Sequence, residues 1–148
     1  MFKYLLLIAL LPFLISSAVA EDISTRFGQA TLKENASGDS LDLSLNGMKI
    51  SSIEANSLNG FRDVHQLGDA DVLVVYTLAG GGCGSYYFLS VRDKKTASLS
   101  PSFESCGEIS FKQLGNSLVT KSMDYQGKNK KSITFKNGML TENGKKLN

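Results

Sequence analysis

The sequence predicts an all-β domain, an antiparallel meander of short strands closed as a sandwich or small barrel and held by one disulfide. Three observations carry this prediction. Short apolar runs recur between Gly, Asn and Asp. Helical periodicity is almost missing after the first twenty residues. Asn-Gly, which suits the positive φ angles of two-residue hairpin turns, occurs at 46–47, 59–60, 137–138 and 143–144. Together they predict about nine to eleven strands.

The first twenty residues stand apart from that pattern. Met1-Phe2-Lys3 is a short basic start, Tyr4 to Ile15 is almost wholly apolar, and Ala18-Val19-Ala20 fits a small-x-small cleavage site. A membrane-spanning helix needs about 20 predominantly apolar residues, more than this run supplies. Residues 1–20 therefore read as a signal peptide cleaved after Ala20, leaving residues 21–148 as a single β-rich domain with no transmembrane anchor. No Cys follows the cleavage site, so lipid attachment there is excluded. The expected destination is the periplasm or the medium.

Within the domain, Leu41, Leu43 and Leu45 alternate with Asp42 and Ser44, the period of a half-buried strand, and Asn46-Gly47 turns it into Met48–Ile53. Val72-Leu73-Val74-Val75-Tyr76 and Tyr86-Tyr87-Phe88-Leu89 are continuously apolar. Strands with apolar residues on both faces lie inside a structure, so these two are expected to pair in its centre across the glycine-rich stretch 79–85. Phe61, Val64 and Leu67 have a spacing of three, which leaves a strand and a single helical turn both open. Residues 117–125 predict a further strand. Ile133 and Phe135 alternate with polar neighbours, and Asn137-Gly138 returns the chain into Met139–Thr141. Pro101 is expected in a loop.

Two cysteines, Cys83 and Cys106, in an exported chain read as a disulfide. They lack C-x-x-C spacing and histidine neighbours, so neither a zinc site nor a redox pair is expected. The 16 Lys and Arg nearly balance the 14 Asp and Glu. Residues 109–148 are different, with eight lysines against only Asp124 and Glu142. Solvent-facing and edge positions of C-terminal strands account for such lysines, with a surface for an anionic partner as the rival reading. No aromatics interleave with them, so nucleic acid is not an expected partner.

Ala79-Gly80-Gly81-Gly82-Cys83-Gly84-Ser85 is the strongest local feature. Glycines can turn several backbone amides toward one anion. The tract has neither the Lys-Ser/Thr ending of a P-loop nor a following helix pattern, and glycines also let an irregular hairpin approach Cys106. A loop pinned by a disulfide makes a rigid binding edge, so Gly80, Gly81, Gly82, Gly84, Ser85 and Tyr86 are the candidate binding residues. His65 is the only histidine. With Asp63 and a distant serine it defines a hydrolase alternative, but no G-x-S-x-G motif accompanies it. Asp69 and Asp71 supply two carboxylates, short of a calcium loop. Neither a metal nor a cofactor is expected.

The run Asp71–Val91 with its Gly80-Gly81-Gly82-Cys83 turn, followed by Leu99-Ser100-Pro101-Ser102-Phe103 and Ser105-Cys106, resembles small exported β-rich proteins of Gram-negative bacteria. Those proteins carry an apolar strand, a Gly-Gly-x-x-Cys-type turn, an aromatic strand and a Leu-Ser-Pro-x-Phe-x-x-Cys-like segment. Gly84 stands where relatives often have proline, and Glu104 where they have glycine. The resemblance implies a periplasmic location and a Cys83–Cys106 pairing, and it brings no catalytic residues. The expected function is that of a non-enzymatic interaction domain. It would bind a periplasmic or envelope protein, as an inhibitor or immunity protein does, through loops near the disulfide. The alternative is a binder of a small anionic or glycan envelope ligand using the C-terminal lysines and the glycine amides.

Overall fold

A computed structural model describes residues 20–148, so the signal-peptide prediction lies almost wholly outside the described residues. The chain forms three successive antiparallel meanders. The first sheet orders β1 (Ala20–Thr25), β2 (Gly28–Glu34), β3 (Ser40–Leu45) and β4 (Met48–Glu54) side by side. The middle sheet orders β5 (Leu58–Leu67), β6 (Ala70–Leu78), β7 (Cys83–Val91) and β8 (Ala97–Leu99), with β9 (Phe103–Cys106) also on β7. The third sheet orders β10 (Lys112–Leu114), β11 (Ser117–Ser122), β12 (Lys131–Lys136), β13 (Met139–Glu142) and β14 (Lys145–Lys146). The all-β antiparallel prediction holds, and the barrel alternative does not, because none of the sheets closes on itself.

The middle sheet is covered on both faces. Leu73, Val75, Leu89 and Val91 pack against Leu32, Leu41, Leu43 and Leu45 of the first sheet. Val72, Val74, Tyr86 and Phe88 pack against Leu118, Ile133, Phe135 and Leu140 of the third. Successive strand side chains point to opposite faces, so one continuous apolar run feeds two cores. Each fully buried side chain of this size contributes roughly 1.5–3 kcal/mol. The second core is aromatic: the Phe88 ring lies 4.9 Å from Phe135, 5.8 Å from Phe103 and 5.8 Å from Phe111, centroid to centroid.

Three of the four Asn-Gly pairs are hairpin turns, with Asn46, Asn137 and Asn143 at φ near 50° and a positive-φ glycine after each. Asn59-Gly60 is not a turn. It lies inside β5, where a Cβ on Gly60 would press on the Glu21 carboxylate and stand 2.8 Å from the Tyr76 hydroxyl. The spacing of three at Phe61 and Val64 comes from a register shift between them, a bulge at Arg62-Asp63 that returns both to the first core.

The strands exceed the number expected because β1, β2 and the short β8, β9 and β10 carry little apolar signal. The first sheet is tied to the middle one by an ion pair between the exposed Arg26 and the buried Asp71. Asp71, 1% exposed, accepts hydrogen bonds from the Arg26 backbone N–H and Nε, each at 2.6 Å. That engagement removes Asp71 from any calcium reading.

Both edges of the middle sheet are modified. Along β5, Glu21 Oε1 accepts from the Phe61 N–H at 3.2 Å, and Gln113 Nε2 donates to the Gln66 carbonyl at 2.9 Å. On the opposite edge, β8 and β9 lie along the same side of β7 with Pro101 between them. Here Ser100 Oγ accepts from the Phe88 N–H at 2.9 Å.

A candidate binding cleft at the disulfide edge

The cysteines form the Cys83–Cys106 disulfide across β7 and β9, with Cα atoms 3.9 Å apart. They enclose 23 residues of sequence separation, for which loop-closure entropy implies roughly 3 kcal/mol of stabilisation. Gly84 sits so tightly against β6 that a Cβ would strike the Thr77 carbonyl and the Leu78 Cα, which fixes glycine at this rung. The Ala79 N–H donates to the Cys83 carbonyl at 2.9 Å and closes the β6–β7 turn.

A cleft of 710 Å³ wraps this stapled edge. Its walls come from Glu54 and Asn56 beside the first sheet, Gly84, Ser85 and Glu104 of the middle sheet, and the chain from Ser122 to Tyr125 at the third. Met123 straps β9: its carbonyl accepts from the Cys106 N–H at 2.9 Å, and its own N–H donates to Ser105 Oγ at 3.1 Å. The Gly107 N–H points the other way, to the Gly82 carbonyl at 2.9 Å. Backbone groups alternate sides along a strand, so the Glu104 N–H and C=O point away from its β7 neighbour Ser85, on the side of the Cys106 N–H.

The cleft is acidic. Glu54, Glu104 and Asp124 line it against one cation, Lys131, whose ammonium is engaged by Glu142 at 2.9 Å. The Asp124 carboxylate also organises the rim, accepting from the backbone N–H groups of Gln126 and Lys128 and from Asn129 Nδ2. Tyr125 beside it is 82% exposed.

The structure divides the predicted binding residues. Gly84 and Ser85 line the cleft together with Cys83 and Cys106. Gly80, Gly81 and Gly82 form the exposed turn tip, with open space around each. Tyr86 is 3% exposed, its ring stacked 5.5 Å from Phe103 in the second core. Burial raises the Tyr86 hydroxyl above its ordinary pKa, and the Arg62 charge partly opposes this. Glu54, Glu104, Asp124 and Tyr125 were not singled out by the sequence. Of these, only Tyr125, an aromatic inside the polar turn 124–127, carries a signal that could have been read.

His65 faces Val72 in the β5–β6 ladder, and its Nε2 is buried without a hydrogen-bond partner. Burial lowers its pKa, with the Asp63 charge working the other way. No hydroxyl of the described residues hydrogen-bonds to Nε2. Among the described residues no group of three or more His, Cys, Asp or Glu side chains is placed to hold a metal. Of the C-terminal lysines only Lys131 shares the cleft with Gly84, while Lys112, Lys121 and Lys130 flank a separate groove on the third sheet. No protein-family model matches the chain, and neither a curated protein nor a solved structure is significantly similar to it.

Proposed function

We propose that this chain is a non-enzymatic binding domain of the bacterial envelope, exported by the cleaved residues 1–20, whose disulfide-edge cleft takes a basic segment of a partner protein. The observation that carries this reading is the acidic cleft on a rigid, stapled edge. It offers the carboxylates of Glu54 and Glu104, the outward backbone groups of Glu104, and the exposed Tyr125 ring as an anchor. The disulfide fits an oxidising, non-cytoplasmic compartment. An extended segment lying along β9 would satisfy the Glu104 N–H and C=O as a strand does.

The test is affinity capture from periplasmic extract, followed by binding of the recovered protein in purified form. Wild type should retain a partner that Glu104→Lys and Tyr125→Ala each release, while Asp42→Ala on the first sheet retains it. Capture that both cleft variants preserve, or no partner at near-native concentration, would overturn the reading.

A further inference from the structure

The third sheet has one face in the second core and one in solvent, and the outer face is chemically one-sided. Register defines it. Lys112, Val119, Thr134, Thr141 and Lys146 form one row across all five strands. Leu114, Ser117, Lys136 and Met139 form the next, and Lys121 with Ser132 lies on the opposite side of the first row. Four lysines therefore stand on this face, and no row contains a carboxylate. The two acids of the C-terminal segment are used elsewhere: Asp124 holds its turn, and Glu142 projects toward the core side and binds Lys131. The groove flanked by Lys112, Lys121 and Lys130 has one carboxylate in its lining, Glu108.

The spacing selects the ligand. Strands about 4.8 Å apart place Lys112 and Lys146, four strands distant, roughly 19 Å from each other. One phosphate cannot engage both, so the face suits an extended array of negative charges. Met139 is next to Lys136 in its row and Leu114 ends the same row beyond Ser117; the two are 47% and 51% exposed. Aliphatic side chains beside lysines fit the headgroup–acyl boundary of a bilayer, whereas nucleic acid would call for aromatic platforms that these rows lack.

We propose that the outer face of the third sheet docks on an anionic lipid surface. The lysines meet headgroup phosphates, and Leu114 and Met139 enter the interface. Each lysine near such a surface strengthens binding about fivefold. This surface is separate from the disulfide cleft, and either can fail alone.

The experiment is cosedimentation of the purified 21–148 domain with vesicles of phosphatidylcholine alone, or of phosphatidylcholine and phosphatidylglycerol in equal parts, at low salt. The protein should pellet only with the phosphatidylglycerol vesicles and be released by added salt. Lys112→Glu with Lys136→Glu should weaken binding more than tenfold, and Leu114→Ser with Met139→Ser should weaken it severalfold without changing the salt dependence. Lys33→Glu with Lys49→Glu on the first sheet should bind like wild type. Melting curves confirm that each variant is folded, and Lys121→Glu with Lys146→Glu replaces the first pair if that pair unfolds. The proposal is overturned by absence of vesicle binding, by heparin binding without vesicle binding, or by equal losses from the first-sheet and third-sheet reversals.

Discussion

The first and third sheets cover opposite faces of the same middle sheet, yet they are attached and finished differently. The first is joined through an aliphatic core, mostly leucine and valine, plus the Arg26–Asp71 ion pair. The third is joined through an aromatic core and through Met123, strapped to the stapled strand β9. On its outer face the first sheet pairs its charges: Asp42 accepts from Lys49 Nζ and from Ser52 Oγ, each at 2.7 Å, and both contacts hold its pKa below the ordinary carboxylate value. On the third, Lys112, Lys121, Lys136 and Lys146 form no ion pair with any described residue. One outer sheet is finished for water, the other for a counter-charge. The difference separates what holds a layer on from what the layer is for.

The two cores should loosen separately when each loses a large side chain. Phe88→Ala removes the ring that Phe103, Phe111 and Phe135 all contact, and should cost about 3–5 kcal/mol. Leu43→Ala in the first core should cost about 2–5 kcal/mol. Denaturant titration measures both, and amide exchange locates them. Faster exchange should concentrate in the third sheet for Phe88→Ala and in the first for Leu43→Ala. Identical patterns would show that the layers do not loosen separately.

Cys83→Ser with Cys106→Ser comes next, at about 3 kcal/mol, read as a lower denaturation midpoint than that of the oxidised wild type. Reduced wild type should match the double variant. Arg26→Ala should cost about 2 kcal/mol, since the buried Asp71 keeps only the backbone N–H, with the loss confined to the first sheet by exchange.

His65 offers a pH test. Its folded pKa is lowered mainly by burial, while in the unfolded chain the imidazole takes up a proton near its ordinary 6.5. Below that value the unfolded state binds more protons, so stability falls as pH drops, until the folded imidazole is protonated too. His65→Phe should flatten that part of the stability curve, and an unchanged slope would place the pH sensitivity elsewhere. The smallest effect belongs to Lys49→Ala. It breaks an exposed pair, and its melting temperature should be indistinguishable from wild type.

Some of this was legible in the amino acids. Val72–Tyr76 and Tyr86–Leu89 announced a strand pair buried on both faces, because apolar side chains on both parities have no other place to go. The two cysteines announced the staple. Asn46-Gly47, Asn137-Gly138 and Asn143-Gly144 announced turns, but Asn59-Gly60 misled. Its glycine answers to Glu21 and Tyr76 pressing from another layer, a tertiary demand invisible in a dipeptide. Ala20–Glu34 gave no strand signal because Glu21, Asp22 and Lys33 share its strands with few apolar partners. The cleft was legible only at Gly84 and Ser85. Glu54 and Tyr125 are 71 residues apart in sequence and line one cleft only because three sheets end at one edge. The lysine excess was visible, but not that Asp124 and Glu142 are engaged elsewhere.

The edges of the middle sheet bear on how the molecule behaves in company. A ten-residue strand such as β5, open along its length, is a template on which a second chain can grow a cross-β fibre. Glu21 and Gln113 occupy backbone groups along it, and the Arg62-Asp63 bulge interrupts its register. On the far side, Pro101 cuts the remaining edge into two short pieces. A β domain whose edges are broken up in this way is a poor seed for its own aggregation, even at high local concentration.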